Sequence, residues 1–514
     1  RVAPGIDLHE ISFPRTVQGL ITSRIDRLKS TQQLALKVAS VIGRVFAFRI
    51  LQDIYPVEDE KPILARETKE LEKLNLTQLE TPEPDLAYIF KHIIVQEVSY
   101  NLMLFSQRRD LHQVVAKWYE QHYANSLEMF FPLLAHHWSK AEVSERAIWY
   151  MSRAGEQALR SFANREAVGF LQEALALDEK YSDQSDSQIP ATWIGRATWI
   201  GRATWIGRIT YPGRQLRRAR WLLQLGQAHL GLGNLADSRQ HLEAGLALAG
   251  ERVTRSRFVA IGYIVLEILR HILHRLFSKY LVGRVTDSDG LAEELMQANE
   301  RLGELHYYVN DLVMMFYCNM RTLNLAERFG VYSEMARAYC NMTVTLGIAS
   351  LHGLARSYRT LAHAASDDLD KSSKAGQQAT RVWVLLVSGL YDASVGYWES
   401  SRAYLTEGFE LAAHIGDLRR QGQHATVLLE TLYLMGDFSE GVRFGDQFTP
   451  LVRRRGDLQA LGYTLLGQAE SLLTLGRVDE GLRNLLEVEE IVTKDLGQTD
   501  TNMQIYVFGL LGAV

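Results

Sequence analysis

The chain has 514 residues, 47% of them apolar and 23% charged, with a formal net charge of −4. These are globular proportions, long enough for several domains or for one repeat array beside a smaller domain, and they exclude a chain-wide basic field able to hold a nucleic-acid backbone or an anionic membrane. Only 10 prolines over this length favour helices, and the two cysteines, Cys318 and Cys340, lie in apolar helical patterns without metal-ligand spacing, as small core residues of a reducing, cytoplasmic compartment. Arg1 opens the sequence without a charged-then-apolar leader, so residues 1–13 are expected to be the tail of a preceding module or linker.

From 16 to 28, TVQGLITSRIDRL sets Val17, Leu20, Ile21, Ile25 and Leu28 on one helical stripe. A second helix, 31–43, stops at Gly43; a short apolar run at 46–55 and a charged amphipathic helix at 61–74 follow. The period then changes to two, with LTQLE at 76–80 and LAYIF at 86–90 alternating around the turn sequence TPEPD. Three helices, a β-hairpin and another helix predict a winged-helix domain over 14–140. Its helix before the hairpin carries Lys61, Arg66, Lys69 and Lys73 against Glu67, Glu70 and Glu72. Charges that nearly cancel are poor at neutralising phosphates, so a protein-facing rather than a nucleic-acid-binding module is expected.

From 141 onward the pattern is helical. Gly396, Gly436 and Gly476 are spaced 40 residues apart, and Gly416-Asp417-Leu418 recurs as Gly456-Asp457-Leu458 at the same step. Helix, glycine turn, second helix and GD turn make a helical-hairpin unit that buries its apolar face only against its neighbours. Small residues are expected where paired helices approach: Gly155 and Ala167 in a first unit at 141–180, Gly226 and Ser238 with Gly233 at the turn, and Gly389 and Ser401 with Gly396 at the turn. The array is predicted to resume at 215 and run to 514, without a clean register between 250 and 380. The expected fold class is therefore mainly α: an α/α superhelix of tetratricopeptide-like hairpins preceded by a small winged-helix domain with one β-hairpin.

Two segments stand apart. The stretch 258–277, FVAIGYIVLEILRHILHRLF, is the most apolar of the chain, but Glu267, Arg270, His271, His274 and Arg275 interrupt it. That charge density opposes a bilayer span; a buried helix of the array is expected, with an amphipathic helix lying on a membrane or a partner as the alternative. Between two repeat units, 191–208 reads ATWIGRATWIGRATWIGR. Six residues advance a helix by about 600°, so the copies share no helical face. Within the loop expected over 181–214, the tract is read as a tandem duplication tolerated at the surface, against the alternative of a Trp/Arg surface for a partner.

No phosphate-binding loop of the G-x-x-x-x-G-K-[ST] type and no G-x-G-x-x-G between strand and helix occurs, and no catalytic constellation stands out. The histidines between 92 and 137 are expected to be packed or capped rather than metal ligands, because His136 and His137, adjacent on a helix, point about 100° apart. Catalytic and metal residues are therefore expected to be none.

PRTVQGLITSRIDRL (14–28), ALKVASVIGRVF (35–46), FKHIIVQEVSY (90–100), RRDLHQVVAKWYE (108–120), LLAHHW (133–138) and RAGEQALRSFANREAVGFLQEALAL (153–177) together resemble the C-terminal region of STAND-type signalling ATPases linked to class III adenylate/guanylate cyclases. The resemblance implies an upstream ATPase module binding ATP/ADP with Mg, and no cofactor in this segment. It also implies that His92, beside Lys91, reports the nucleotide state across a domain boundary, where the plain alternative is a histidine packed at a seam. The expected partner is a protein or peptide on the concave repeat surface. A stand-alone tetratricopeptide scaffold and the repeat region of an ATP-dependent transcription regulator are the rival readings.

Overall fold

The computed structural model describes residues 15–184, 213–251, 254, 256–283, 291–367, 374–496 and 500–514. By compactness the chain divides into Arg1–Ala154 with Ala176–Ala203, and Gly155–Leu175 with Thr204–Val514. The division cuts a helix after Ala154, beyond the boundary expected at 140.

In the first unit, α1 (Arg15–Asp26) and α2 (Ser30–Ile42) are followed by strand β1 (Val45–Ala47) and helix α3 (Phe48–Ile54). The run 46–55, expected as one apolar segment, thus splits into strand and helix. Next come a short 3-10 turn at Glu58–Ile63, α4 (Leu64–Lys73), β2 (Thr77–Thr81) and β3 (Ala87–Phe90). The sheet has three antiparallel strands in the order β1-β3-β2, with Phe46 and Leu79 both opposite Tyr88. On β3 the period of two puts Tyr88 and Phe90 into the core, where Phe46 lies 5.4 Å from the Phe90 ring. Helices α5 (Ile93–Asn101), α6 (Phe105–His122) and α7 (Phe131–Lys140) complete this unit, together with most of α8 (Ser144–Arg160).

The repeats begin with α8 and α9 (Asn164–Gln184), whose residues 155–175 belong to the second unit. They continue with α10 (Gly213–Gly231), α11 (Leu235–Leu248), α12 (Arg257–Leu276) and the single turn α13 (Ser278–Leu281). Helices α9 and α10 therefore extend into both ends of the loop expected at 181–214; the hexamer tract at 191–208 lies outside the described residues. Where the sequence showed no register, the structure has α14 (Ala292–Tyr308), α15 (Leu312–Phe329), α16 (Tyr332–Ile348) and α17 (His352–Asp367). Then follow α18 (Lys374–Ser394), α19 (Trp398–Ile415), α20 (Leu418–Met435), α21 (Phe438–Arg455), α22 (Leu458–Thr474), α23 (Val478–Glu490) and α24 (Thr501–Leu511). The fold is mainly α, with a small three-stranded sheet in the first unit and an array of tetratricopeptide-like helical hairpins in the second.

One packing device recurs in the hairpins. A Cβ added at Gly155, Gly226 or Gly389 would lie 2.9, 2.6 or 2.7 Å from the side chain of Leu171, Leu242 or Leu405, in each case 16 positions on. Twelve positions on stands a small buried residue: Ala167, Ser238 or Ser401. The two serine hydroxyls donate to the glycine carbonyls, Ser238 Oγ to Gly226 at 2.7 Å and Ser401 Oγ to Gly389 at 2.9 Å. The same 16-residue step pairs Gly303 with Asn319, 2.9 Å from the added Cβ, which supplies the register missing from the sequence reading. Asparagine in place of leucine hid it.

Turns carry the second device. Gly233, Gly396, Gly436 and Gly476 have φ of +80°, +87°, +82° and +77°, the left-handed conformation in which a Cβ is strained. In the GD words the glycine ends one helix and the aspartate starts the next: Gly416 and Gly456 are left-handed caps, and Asp417 and Asp457 accept from the backbone N–H of Arg420 (3.1 Å) and Ala460 (2.9 Å).

Helix α12 departs from the expectation of a buried helix. Its polar side points inward. Asn324 Nδ2 donates to Glu267 at 2.7 Å, Arg321 lies 3.3 Å from Glu267, and the Nδ1 atoms of His271 and His274 sit 3.2 and 3.1 Å from one oxygen of Glu327. Its apolar residues face out, Phe258 at 88% exposure and Leu276 at 70%. Periodicity reports two faces of a helix but not which of them meets the core, and here buried ion pairs on α15 claim the polar one.

Candidate functional site: the inner face of the repeat array

One helix of each successive hairpin, α14, α16, α18, α20 and α22, turns a face toward a common groove that α24 also lines. The groove is crossed by a polar bridge. Glu304 on α14 accepts from Arg419 Nη2 (2.8 Å), Arg420 Nη1 (3.0 Å) and Gln423 Nε2 (2.8 Å) on α20, more than a hundred residues away. Arg419 passes the link to Gln459 (3.1 Å), and Gln459 to Asp500 (2.7 Å), which also accepts from Tyr463 (2.9 Å). Asn502 on α24 donates to the Tyr307 carbonyl at 2.7 Å. Burial alone would raise the Glu304 carboxyl, but the two guanidiniums hold it far below the ordinary carboxylate range.

On one side of the bridge lies a cavity of about 670 Å3, the size of a small-ligand or side-chain pocket. Its walls are repeat-equivalent: Trp383, Gln423 and Tyr463 stand 40 residues apart, as do Leu386, Thr426 and Leu466, and Leu390, Glu430 and Glu470. Tyr307, Tyr308 and Tyr506 add aromatic surface. Trp383 is fixed by its Nε1 hydrogen bond to Asn341 (2.9 Å) and by the Arg420 guanidinium 4.0 Å above its ring. Glu430 and Glu470 have no ion pair among the described residues. Burial raises both carboxyls, and with Glu430 adding its charge the Glu470 group is pushed to about 7. Two unpaired carboxyls among tyrosines can receive a cation whose stem is apolar.

The other side is basic. A second cavity, about 1360 Å3, is lined by eight arginines, among them Arg160, Arg165, Arg301, Arg337, Arg454 and Arg455, against Glu166, Glu293, Asp417 and Asp457. Arg337 is committed to Glu300, with Nε 2.8 Å from Oε2. Arg301 is held only by Gln297 at 3.1 Å and has no ion pair among the described residues; burial, with Arg337 beside it, draws its guanidinium down to about 10. Crowded like charges of this kind are relieved by an incoming anion.

The residues singled out from the sequence occupy other places. Gly155, Ala167, Gly226, Gly233, Ser238, Gly389, Gly396, Ser401, Gly436 and Gly476 do not line the aromatic cavity. His92 begins α5 with an exposed side chain, and Lys91 donates to Asn75 Oδ1 at 2.5 Å. The structure thus leaves His92 out of the first unit's core. Of the histidines grouped in sequence, His112 and His137 share a hydrogen bond (Nδ1 to Nδ1, 2.8 Å), and Tyr100 OH contacts His112 Nε2 at 2.9 Å. Burial draws His112 down to about 3 and His137 well below its ordinary value, so both are neutral core groups. Lys61, Arg66 and Lys73 on and before α4 lie 2.7, 3.0 and 2.8 Å from Glu58, Glu67 and Glu70. Cys318 and Cys340 are buried free thiols.

The geometry defines a tetratricopeptide-like repeat protein with a two-sided inner groove. No family model matches the chain. Over 172 residues, 33% of this chain, it is 28% identical to an uncharacterized protein of Rhizobium meliloti (strain 1021); that stretch spans 16% of the relative's length. Among solved structures it is similar to a signal transduction ATPase with numerous domains carrying a tetratricopeptide repeat sensor from Pyrococcus horikoshii, with TM-score 0.37 and 10% identity over 96% of this chain and 68% of that one. It is also similar to a Rap protein complexed with competence and sporulation factor (TM-score 0.41, 13% identity, 79% of this chain and 94% of that one). A third is aspartyl phosphate phosphatase F from Bacillus subtilis (TM-score 0.40, 11% identity, 92% and 96%).

Proposed function

We propose that the repeat array is a protein-interaction and sensor region that takes an extended peptide segment of a partner along its inner groove. The segment presents a lysine or arginine with neighbouring apolar side chains to the aromatic cavity and acidic residues to the arginine side. The observation that carries this reading is the pair Glu430 and Glu470, two half-buried carboxyls without an ion pair among the described residues, in a wall of Trp383, Tyr308, Tyr463 and Tyr506. A cation brought between them replaces the water both have lost, and the aromatic faces favour the same charge. The main chain of an extended peptide suits the polar groove residues Asn502 and Asn319.

Random displayed peptides selected on the protein test this. Enriched sequences should carry Lys or Arg beside large apolar residues, with acidic residues several positions away, and Glu430→Gln with Glu470→Gln should remove the basic preference. Enrichment without a basic preference, or the same preference on the variant, rejects the reading.

The sequence resemblance supports a wider setting, in which the first unit is a protein-facing winged helix and the whole segment regulates a STAND-type ATPase, of the kind joined to an adenylate/guanylate cyclase. In that setting Mg and ATP/ADP belong to the ATPase module, and His92, exposed at the start of α5, is the nucleotide-sensing contact with Lys91 beside it. The coding sequence around this segment checks it directly. A phosphate-binding loop upstream supports the setting, and its absence favours a stand-alone scaffold. A basic helix-turn-helix elsewhere in the gene favours a transcription regulator.

A further inference from the structure

From the inverted helix α12 we infer that the array carries an anionic-membrane docking face, independent of its peptide groove. Phe258, Ile261, Val265, Leu269, Ile272 and Leu276 follow one another at helical spacing, each at least 47% exposed. With a rise of 1.5 Å per residue the 20 residues of α12 make an apolar strip about 30 Å long. The strip is not a misplaced core face: turning the helix over would carry Glu267, His271 and His274 away from Arg321, Asn324 and Glu327 and expose their buried partners unpaired.

Charge and area choose the occupant. Along the sequence, residues 252–284 hold seven arginines and lysines against the single acid Glu267, in a chain whose formal net charge is −4; Arg257, Arg270 and Arg275 pair with Asp311, Glu267 and Glu327, and the other four, Arg252, Arg255, Lys279 and Arg284, stand in sequence on either side of α12. A second copy docked on the same strip would bring two such cationic segments together. The strip, about 30 Å by the 10–12 Å width of a helix, offers on the order of 300–400 Å2, below the roughly 800 Å2 per partner of a stable protein interface. A lipid surface requires no complementary shape. It accepts a row of aliphatic side chains at the headgroup boundary, and its anionic headgroups attract flanking arginines and lysines. Among the described residues no helix is long and apolar enough to cross a membrane, so the contact is one of lying on the surface.

Flotation of the full chain with phosphatidylcholine vesicles, with and without about a third phosphatidylglycerol, tests the inference. The anionic vesicles should hold about tenfold more protein or better, and raised salt should release it. Val265→Asp with Leu269→Asp, at exposed positions, should abolish binding while circular dichroism and the thermal midpoint stay unchanged. Arg255→Glu with Lys279→Glu, which leaves the strip intact, should lower binding to anionic vesicles about tenfold or more. Equal binding to both vesicles, binding to neither, or binding that survives the Val265/Leu269 change overturns the inference. So does a concentration-dependent dimer in sedimentation that the same change dissolves, which would assign the strip to a second copy. None of these readouts involves Glu430 or Glu470, so the peptide reading stands or falls separately.

Discussion

Leu405 sits against Gly389 with no room for another carbon, and the Ser401 hydroxyl closes the gap by donating to the Gly389 carbonyl. Gly389→Val must therefore push the two helices apart, at about 1–3 kcal/mol of stability by overpacking. Ser401→Ala removes that hydrogen bond and the one shared with Thr431 Oγ1 (3.0 Å), and should cost about 0.5–1.5 kcal/mol for each. Because the two residues share one contact, the double variant should fall short of the sum in a urea-unfolding cycle; full additivity would mean the contact is not shared. At the turns the reason for glycine differs. Gly436 has nothing within 4 Å of an added Cβ, yet its φ of +82° strains any side chain, so Gly436→Ala should cost about 1 kcal/mol without a clash. These roles were legible because they are local: a glycine, a small residue 12 positions on and a leucine 16 positions on are a pattern within one hairpin. At Gly303 the same pattern was illegible because Met315 stands where the small residue would be and a polar Asn319 fills the leucine's place.

At the scale of an element, α12 shows what a periodic pattern leaves open. An apolar stripe is assigned to the core by default, since burial of apolar area dominates folding. The partners that reverse α12, Arg321, Asn324 and Glu327, lie more than fifty residues away and look like ordinary surface polar residues of another helix. Glu327 also accepts from Tyr339 OH (3.2 Å) and lies 3.4 Å from Arg275. Burial acts to raise its carboxyl, but hydrogen bonding and charge from His271, Arg275 and His274 bring it below the ordinary value. Glu327→Ala should strand these groups in a site of low dielectric and cost about 3–5 kcal/mol, the usual penalty for removing one partner of a buried pair. Glu327→Gln keeps the shape and one acceptor and should recover part of the loss. Urea unfolding of both variants checks the order; equal midpoints for the two would show that shape and one acceptor recover nothing, and that the charge of the carboxylate holds the helix. The hairpin strands at 77–81 and 87–90 were readable because the turn sequence TPEPD separates two short runs, although β2 buries only Thr77 and is bulged between Leu79 and Thr81, whereas β1, three residues long, gives too short a pattern to separate strand from helix.

At the scale of the chain, the groove depends on contacts that no local pattern announces. Glu304 meets Arg419 and Arg420 across 115 and 116 positions, and Asn502 meets Tyr307 across 195. The sequence did hold one usable signal: Glu430 and Glu470 each stand six residues before a turn glycine, at the repeat step of 40. The step located the hairpins, but it does not say which of their positions face inward. Titration links this groove to its surroundings. Glu470 and the buried Glu334 are both pushed from an ordinary 4.5 to about 7. The folded protein thus holds protons there that the unfolded chain releases, and their contribution to stability is lost as pH rises from 4.5 toward 7. His306 and His424, drawn down from 6.5 to about 4 by burial, act the other way, and their contribution is lost as pH falls through the same range. The two trends oppose each other, with the depressed His112 and His137 adding to the second, so stability should rise only gently between about pH 5 and 7 and should fall further below, as the unfolded chain takes up the proton that Glu304 refuses. Weakening one side shifts the balance: with Glu470→Gln, which leaves Glu334 in place, the thermal midpoint should climb more steeply from pH 5 toward pH 7. The proton on Glu470 also competes with a cationic ligand. A lysine-bearing peptide in the aromatic cavity needs the carboxylate, so its affinity should strengthen up to about tenfold per unit as pH rises toward 7, and level off above. Glu470→Gln should bind more weakly and lose this dependence. Calorimetric titrations from about pH 5.5 to 8 decide the matter: wild-type affinity that ignores pH, or a dependence that survives in Glu470→Gln, would place the cation elsewhere in the groove.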